Sequence, residues 1–174
     1  MENIAIRAKH ITIGFGWDAY ERQYSGGYFG GLAASRRKTA VDCDGSAELE
    51  FSSSAGEALP APVRVDYKNP SALEGAVRHN GDSRTGYAEG DDETIDIDID
   101  RIPERVCAIT LRLDMLKEKR RSMTFGRVQN AFLRIIDADR GEELLYRDLT
   151  GAGERVLECG RLLRDPDGNW QYRP

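Results

Sequence analysis

A sandwich of two β-sheets, all-β apart from one or two short helices, is the fold this sequence predicts, and three observations predict it. Apolar residues recur at every second position in many short segments, which is the strand period. The breaks between segments carry the Gly, Pro, Asn and Asp that tight turns need, as in Asn69-Pro70, DADRG at 137–141 and DPDGN at 165–169. Helix formers dominate only one stretch, 114–121, so sheets must bury their apolar faces against each other.

The elements follow in order. Ile4, Ile6 and Ala8, then Ile11 and Ile13, alternate with polar residues and predict strand until Gly14, Gly16 and Trp17-Asp18 end it. Residues 20–38 hold GGYFGG and SRRK with no sustained period, and predict a long glycine-rich connection over about 19–40. Val41, Cys43, Ala47, Leu49 and Phe51 resume the alternation, and a Ser, Gly and Pro stretch to Pro62 follows. Val63, Val65 and Tyr67 form a strand that Asn69-Pro70 breaks, because proline has no amide to donate and restricts its predecessor. Val77 and His79 mark another short strand. Over 94–100, Ile95, Ile97 and Ile99 face one way and Asp96, Asp98 and Asp100 the other, so that these carboxylates need only water. Ile109, Leu111 and Leu113 line one face of 106–113, and 128–136, 143–148, 156–164 and 170–172 complete the series.

A chain of 174 residues suits one domain spanning 1–174. No apolar run approaches the ~20 residues of a membrane-spanning helix, and the N-terminus lacks the charge-then-apolar order of a signal peptide, so a cytoplasmic location is expected. Three widely spaced cysteines, Cys43, Cys107 and Cys159, indicate neither a disulfide framework nor a zinc site; Cys107 and Cys159 are expected as buried thiols. The net charge of −5 argues against a general nucleic-acid binder, and the basic KEKRR at 117–121 reads as a solvated surface.

Catalytic motifs are absent. The two histidines, His10 and His79, cannot form a H-E-x-x-H pair, and GGYFGG lacks the lysine of a phosphate-binding loop. Asp137, Asp139, Gly141 and Glu142 echo the opening of an EF-hand loop, but the glycine is misplaced and strands flank it, so a turn is expected. The informative region is 82–100, with eight carboxylates against the single base Arg84. Acids so close repel one another unless a cation sits among them. Asp82, Glu89, Asp91, Asp92 and Glu93 share a loop made supple by Gly81, Gly86 and Gly90, a composition that suits calcium, which takes oxygen ligands, better than zinc or copper. Upstream, Asp42 and Asp44 straddle Cys43, so on a strand both carboxylates point to one side, about 7 Å apart.

GFGWD at 14–18, DCDGS at 42–46, NPSALEGAVRHNGDSRTG at 69–86, GDDETI at 90–95 and FGRVQNAFLRI at 125–135 occur in that order, and together the chain resembles the TerD family of tellurium-resistance and calcium-binding stress proteins over nearly its whole length. The resemblance implies a β-sandwich that binds two neighbouring calcium ions through acidic loops, without enzymatic activity. By position it implies the ligands Asp42, Asp44, Asn69, Asp82, Asp91, Asp92 and Glu93, together with Glu89 and Gly90. It also implies protein partners in a stress-response complex, membrane-associated through those partners. Lys68 and Ser83 depart from the family pattern where asparagine is common, so one of the two sites is expected to be weakened or reshaped; two ions are expected, with one as the alternative. The rival expectation is that calcium orients a phosphorylated or acidic small molecule, with Arg78, His79, Arg84 or Arg127 adding positive charge and 24–31 as a lid; another is a subunit of a filament.

Overall fold

A computed structural model describes residues 3–18, 20–23, 36–53, 58–87, 89–115 and 124–174. Its strands are β1 (Ile4–Ile6), β2 (His10–Asp18), β3 (Tyr20–Gln23), β4 (Arg36–Thr39), β5 (Cys43–Phe51), β6 (Val63–Val65) and β7 (Ser71–Ala72). They continue as β8 (Val77–His79), β9 (Glu93–Asp98), β10 (Val106–Met115), β11 (Gln129–Asp137), β12 (Glu142–Asp148), β13 (Val156–Arg164) and β14 (Trp170–Arg173). One six-stranded sheet runs β1-β14-β13-β10-β5-β6 and the other β12-β11-β2-β9-β8-β7. All neighbours pair antiparallel. The expected sandwich is present, with 3-10 turns at Leu73–Gly75, Ile99–Arg101 and Phe125–Arg127 as the helical elements among the described residues.

Some expectations need correction. Asp114 and Met115 belong to β10, not to a helix over 114–121, because Met115 pairs with Cys43 and packs into the core; 116–123 lie outside the described residues. The glycine-rich connection is in part a ribbon, since β3 and β4 pair with each other; the segment 24–31 is likewise outside the description.

Period-two patterning builds the core. Ile11, Ile13, Phe15 and Trp17 of β2 and Ile95 and Ile97 of β9 meet Cys43, Ala47 and Leu49 of β5 and Ile109, Leu111 and Leu113 of β10, all buried. Each large apolar side chain so buried contributes roughly 1.5–3 kcal/mol. Ile99 departs from the alternation and turns into the Ile99–Arg101 helical turn. The aspartates of that repeat do more than meet water: Asp96 accepts from Thr12 and Arg78, Asp98 faces Arg101 and His10, and Asp100 pairs with Lys9. Cys159 is fully buried as expected, while Cys107 is only partly so. Between Leu111 and Arg112 the β13 register skips Cys159, and the carbonyl this bulge exposes accepts from Arg147 and from the Tyr172 hydroxyl, both at 2.6 Å.

Glycines of β2 and β5 bring the layers together near the acidic loop. A Cβ on Gly14 would collide with the Asp91 carboxylate, and one on Gly16 with the Phe132 ring. At Gly45 it would sit 2.5 Å from the Phe15 ring, which lies across β5. Gly45→Ala is therefore expected to cost about 1–3 kcal/mol by overpacking, read as a lower urea midpoint at unchanged slope.

Candidate metal centre

The residues expected to bind metal lie in four places: Asp42 and Asp44 at the start of β5, Asn69 between β6 and β7, the loop from β8 to β9, and Glu93 as the first residue of β9. The structure brings Asp42, Asp44 and Asp82 together, each offering a carboxylate oxygen within 4.8 Å of the others. Two oxygens that ligate one calcium at ~2.3–2.6 Å lie no more than about 5 Å apart, so a single ion fits this spacing. Asp44 is only 3% exposed, and its Oδ1 meets no hydrogen-bond partner among the described residues. A buried carboxylate left so is costly. Its pKa is pushed up to about 7, first by burial and then by the charges of Glu93, Asp42, Asp82 and Asp114. Asp82 is exposed and held at Oδ2 by the Arg84 Nε at 3.0 Å. The donor set is all oxygen, the chemistry of a hard cation.

The other expected residues have different neighbours. Asp91 receives a two-pronged pair of hydrogen bonds from Arg134, at 2.8 and 2.9 Å, across the gap left by Gly14. Asp92 accepts from the Trp17 amide at 2.9 Å and from the Ser83 hydroxyl at 3.2 Å; burial nonetheless raises its pKa. Glu93 is buried and accepts from the Gly45 amide, the Ser83 amide and His79. Glu89 and Gly90 are exposed, the Gly90 carbonyl lying against Gly16. Asn69 caps the 66–69 turn, its amide donating to the Arg64 carbonyl at 2.7 Å and its backbone N–H to Asp66. Lys68 lies over the Tyr67 ring, 5.2 Å from its centre.

Of the cations weighed for an acidic ligand, Arg84 alone is paired with a member of the triad. Arg78 pairs with Asp96, His79 is buried against Glu93, and the Arg127 side chain lies outside the description.

A family model described as the TerD domain matches residues 2–174. The chain belongs to the TerD domain family. It is 32% identical over 167 residues to Tellurium resistance protein TerD of Serratia marcescens, covering 95% of this chain and 78% of that protein. It is also 32% identical over 164 residues to Stress response protein SCP2 of Bacillus subtilis (strain 168), covering 93% and 79%. The crystal structure of a homologue of telluride resistance protein (TerD) from Streptomyces coelicolor A3(2) matches with a TM-score of 0.66 over 95% of this chain and 87% of that one; at 18% identity it shows the shared fold. No helix of the described residues is long and apolar enough to cross a membrane.

Two residues of this TerD domain escape sequence reasoning. Asp114 pairs directly with Asp44 across β10 and β5, with its own Oδ1 buried and unpartnered and its Oδ2 held by Arg64 at 2.6 Å. Only the strand register reveals it. Arg134 lies in the family-like FGRVQNAFLRI segment, but nothing in that segment identifies Asp91 as its partner.

Asp44 gives the TerD domain a pH dependence. Its folded pKa of about 7 exceeds the 3.8 usual for an aspartate, so the folded chain holds the proton more tightly. Stability from this group is complete below pH ~4 and is lost as pH rises through ~7. Asp92 acts in the same sense. With a chelator present, the thermal midpoint should fall between pH ~5 and ~8, and Asp44→Asn should flatten that fall. His10, raised by its hydrogen bond to Asp139, is exposed and common to both proteins, so it cancels.

Proposed function

We propose that this TerD-family protein binds calcium at Asp42, Asp44 and Asp82 and acts without catalysis, as an interaction module whose surface the ion orders. The observation that carries the reading is the Asp44 Oδ1, buried and unpartnered inside a carboxylate triad whose oxygens lie within 4.8 Å. Lone acidic clusters on a surface can be satisfied by water; this oxygen is shut away from it.

A bound calcium would supply positive charge where the three acids repel. The chain does the rest. Cys43 faces the core and is fully buried, and so fixes Asp44 on β5 and Asp42 just before it. Asp82 is the third partner, carried on a glycine-bearing loop and balanced by Arg84, an exposed side chain that an ion could displace. Bound at the triad, the ion would hold this loop docked where it already lies beside β5. The names of its relatives, tellurium resistance and stress response proteins, support a role in stress response, and the complex in which it would act is part of the proposal. Within it, protein partners would read the docked surface, in the cytoplasm and at membranes only through those partners.

Magnesium demands a tighter octahedral shell and keeps its waters, so three protein carboxylates favour calcium. Calorimetric titration is expected to show calcium binding, weaker magnesium binding, and loss of both in Asp44→Asn and in Asp82→Asn. Asp91→Asn should leave calcium binding within about threefold, because Arg134 already occupies that carboxylate. Calcium at a hundredfold excess over its dissociation constant should add about 2.7 kcal/mol of stability. An unchanged melting midpoint in excess calcium would sink the reading.

A further inference from the structure

Glu93 stands among the residues that family resemblance makes a metal ligand, yet its oxygens are directed elsewhere. Its side chain is 0% exposed. Oε2 accepts from the Gly45 amide at 2.7 Å and from His79 Nε2 at 3.2 Å, and Oε1 accepts from the Ser83 amide at 3.1 Å. Gly45 follows Asp44 in the chain, and Ser83 follows Asp82. One carboxylate therefore grips the backbone immediately beside two members of the triad, one on β5 and one on the β8–β9 loop.

We propose that Glu93 is a positioning residue: it clamps Gly45 and Ser83 and thereby sets the separation of the Asp44 and Asp82 carboxylates, while His79 holds the clamp in orientation. The inference rests on the metal reading above and gives Glu93 a role in it other than ligation. The histidine tautomer follows from its contacts. The Gly81 amide donates to His79 Nδ1 at 3.3 Å, so Nδ1 is the acceptor and Nε2–H donates to Glu93. With two amides and an imidazole N–H directed at it, the Glu93 carboxylate is satisfied without a cation, whereas Asp44 is not. Ser83, where the family commonly has asparagine, takes part through its backbone N–H, which any residue but proline could supply; its hydroxyl donates separately to Asp92.

Residues that orient ligands without touching the metal typically cost about 10–100-fold in affinity when changed. The test uses terbium luminescence on the whole chain, since terbium replaces calcium in oxygen sites and its decay in light and heavy water counts the waters it keeps. It is paired with amide exchange in the metal-free protein. Glu93→Gln puts an NH2 group where an oxygen faced an N–H donor. It is expected to weaken binding about 10–100-fold with an unchanged water count, and to speed exchange at Gly45 and Ser83. Asp82→Asn, removing a ligand, should instead raise the count. A water gained in Glu93→Gln, with the Gly45 and Ser83 amides still protected, would make Glu93 a ligand and overturn the clamp. So would terbium affinity within twofold of the wild type.

Because Glu93 is so buried, His79→Leu provides a gentler second variant. Removing the imidazole donor should weaken binding several-fold at the same water count; a count lower by one would mean that Glu93 had been released to ligate, which also overturns the clamp. If the wild type binds neither terbium nor calcium, the metal reading itself fails, and the clamp on metal ligands fails with it. That failure appears in the wild type alone and so is distinct from the others.

Discussion

The arrangement of this end of the molecule depends on how two buried carboxylates are answered. Glu93 opens β9 in the interior and finds three N–H donors from β5, β8 and the loop between β8 and β9. Hydrogen bonds to an ionised acceptor contribute roughly 1.5–3 kcal/mol each, and removing the acceptor would leave buried amides unpaired. Because its donors come from both sheets, the acid fixes the loop and the layers at once. Asp44 lies one residue from the Gly45 amide that Glu93 grips, is almost as buried, and has an oxygen with no answer. Satisfied and unsatisfied charge lie side by side, and the difference between them is what makes the centre a candidate for an ion.

The loop is anchored on its other flank by space that β2 leaves open. Gly14 admits the Asp91 carboxylate, which Arg134 of β11 then holds in two-pronged fashion, and Gly16 admits the Phe132 ring and the Gly90 carbonyl. Phe132 in turn stacks on Tyr146 of β12, with ring centres 5.1 Å apart. Trp17 completes the anchor from within, its indole N–H donating to the Val41 carbonyl and its backbone N–H to Asp92. Three successive acids, Asp91, Asp92 and Glu93, thus serve three different sets of neighbours, of which only Ser83 is shared.

That dispersal marks the limit of what the sequence discloses. Strands and turns were legible because burial enforces a period of two and tight turns demand Gly, Asn or Asp, as at Ile95 and Ile97 or at Asp165 to Asn169. The pairing of Asp42 with Asp44 on one side of β5 was legible for the same reason. Their meeting with Asp82, 38 positions after Asp44, was legible only through resemblance to a family. Composition counts acids without saying where each points, and so it could not separate Asp91, spent on Arg134, from Asp82. Nor could alternation in β10 reveal Asp114, whose importance comes from standing opposite Asp44 in the register.

Like charges directly opposite on neighbouring strands destabilise a sheet, so the Asp44–Asp114 pair needs an explanation of its own. Arg64 supplies half of it. Its guanidinium bridges Asp66 at 3.0 Å and Asp114 at 2.6 Å; despite burial, the Asp114 hydrogen bond keeps the Arg64 pKa high, and the Asn69 and Lys68 amides, followed by Arg64, keep that of Asp66 low. Asp66 is itself fixed by the amides of Lys68 and Asn69, so Arg64 is tethered from behind and cannot move across to Asp44. Arg84 sits on the far side, on exposed Asp82, and does not reach inward either. The cations of the described residues therefore neutralise the periphery of the cluster and leave its centre, at Asp44, without a countercharge. A side chain could have been placed there as Arg134 was at Asp91. Among the described residues none answers the Asp44 Oδ1, and that is what a site for an exchangeable cation requires.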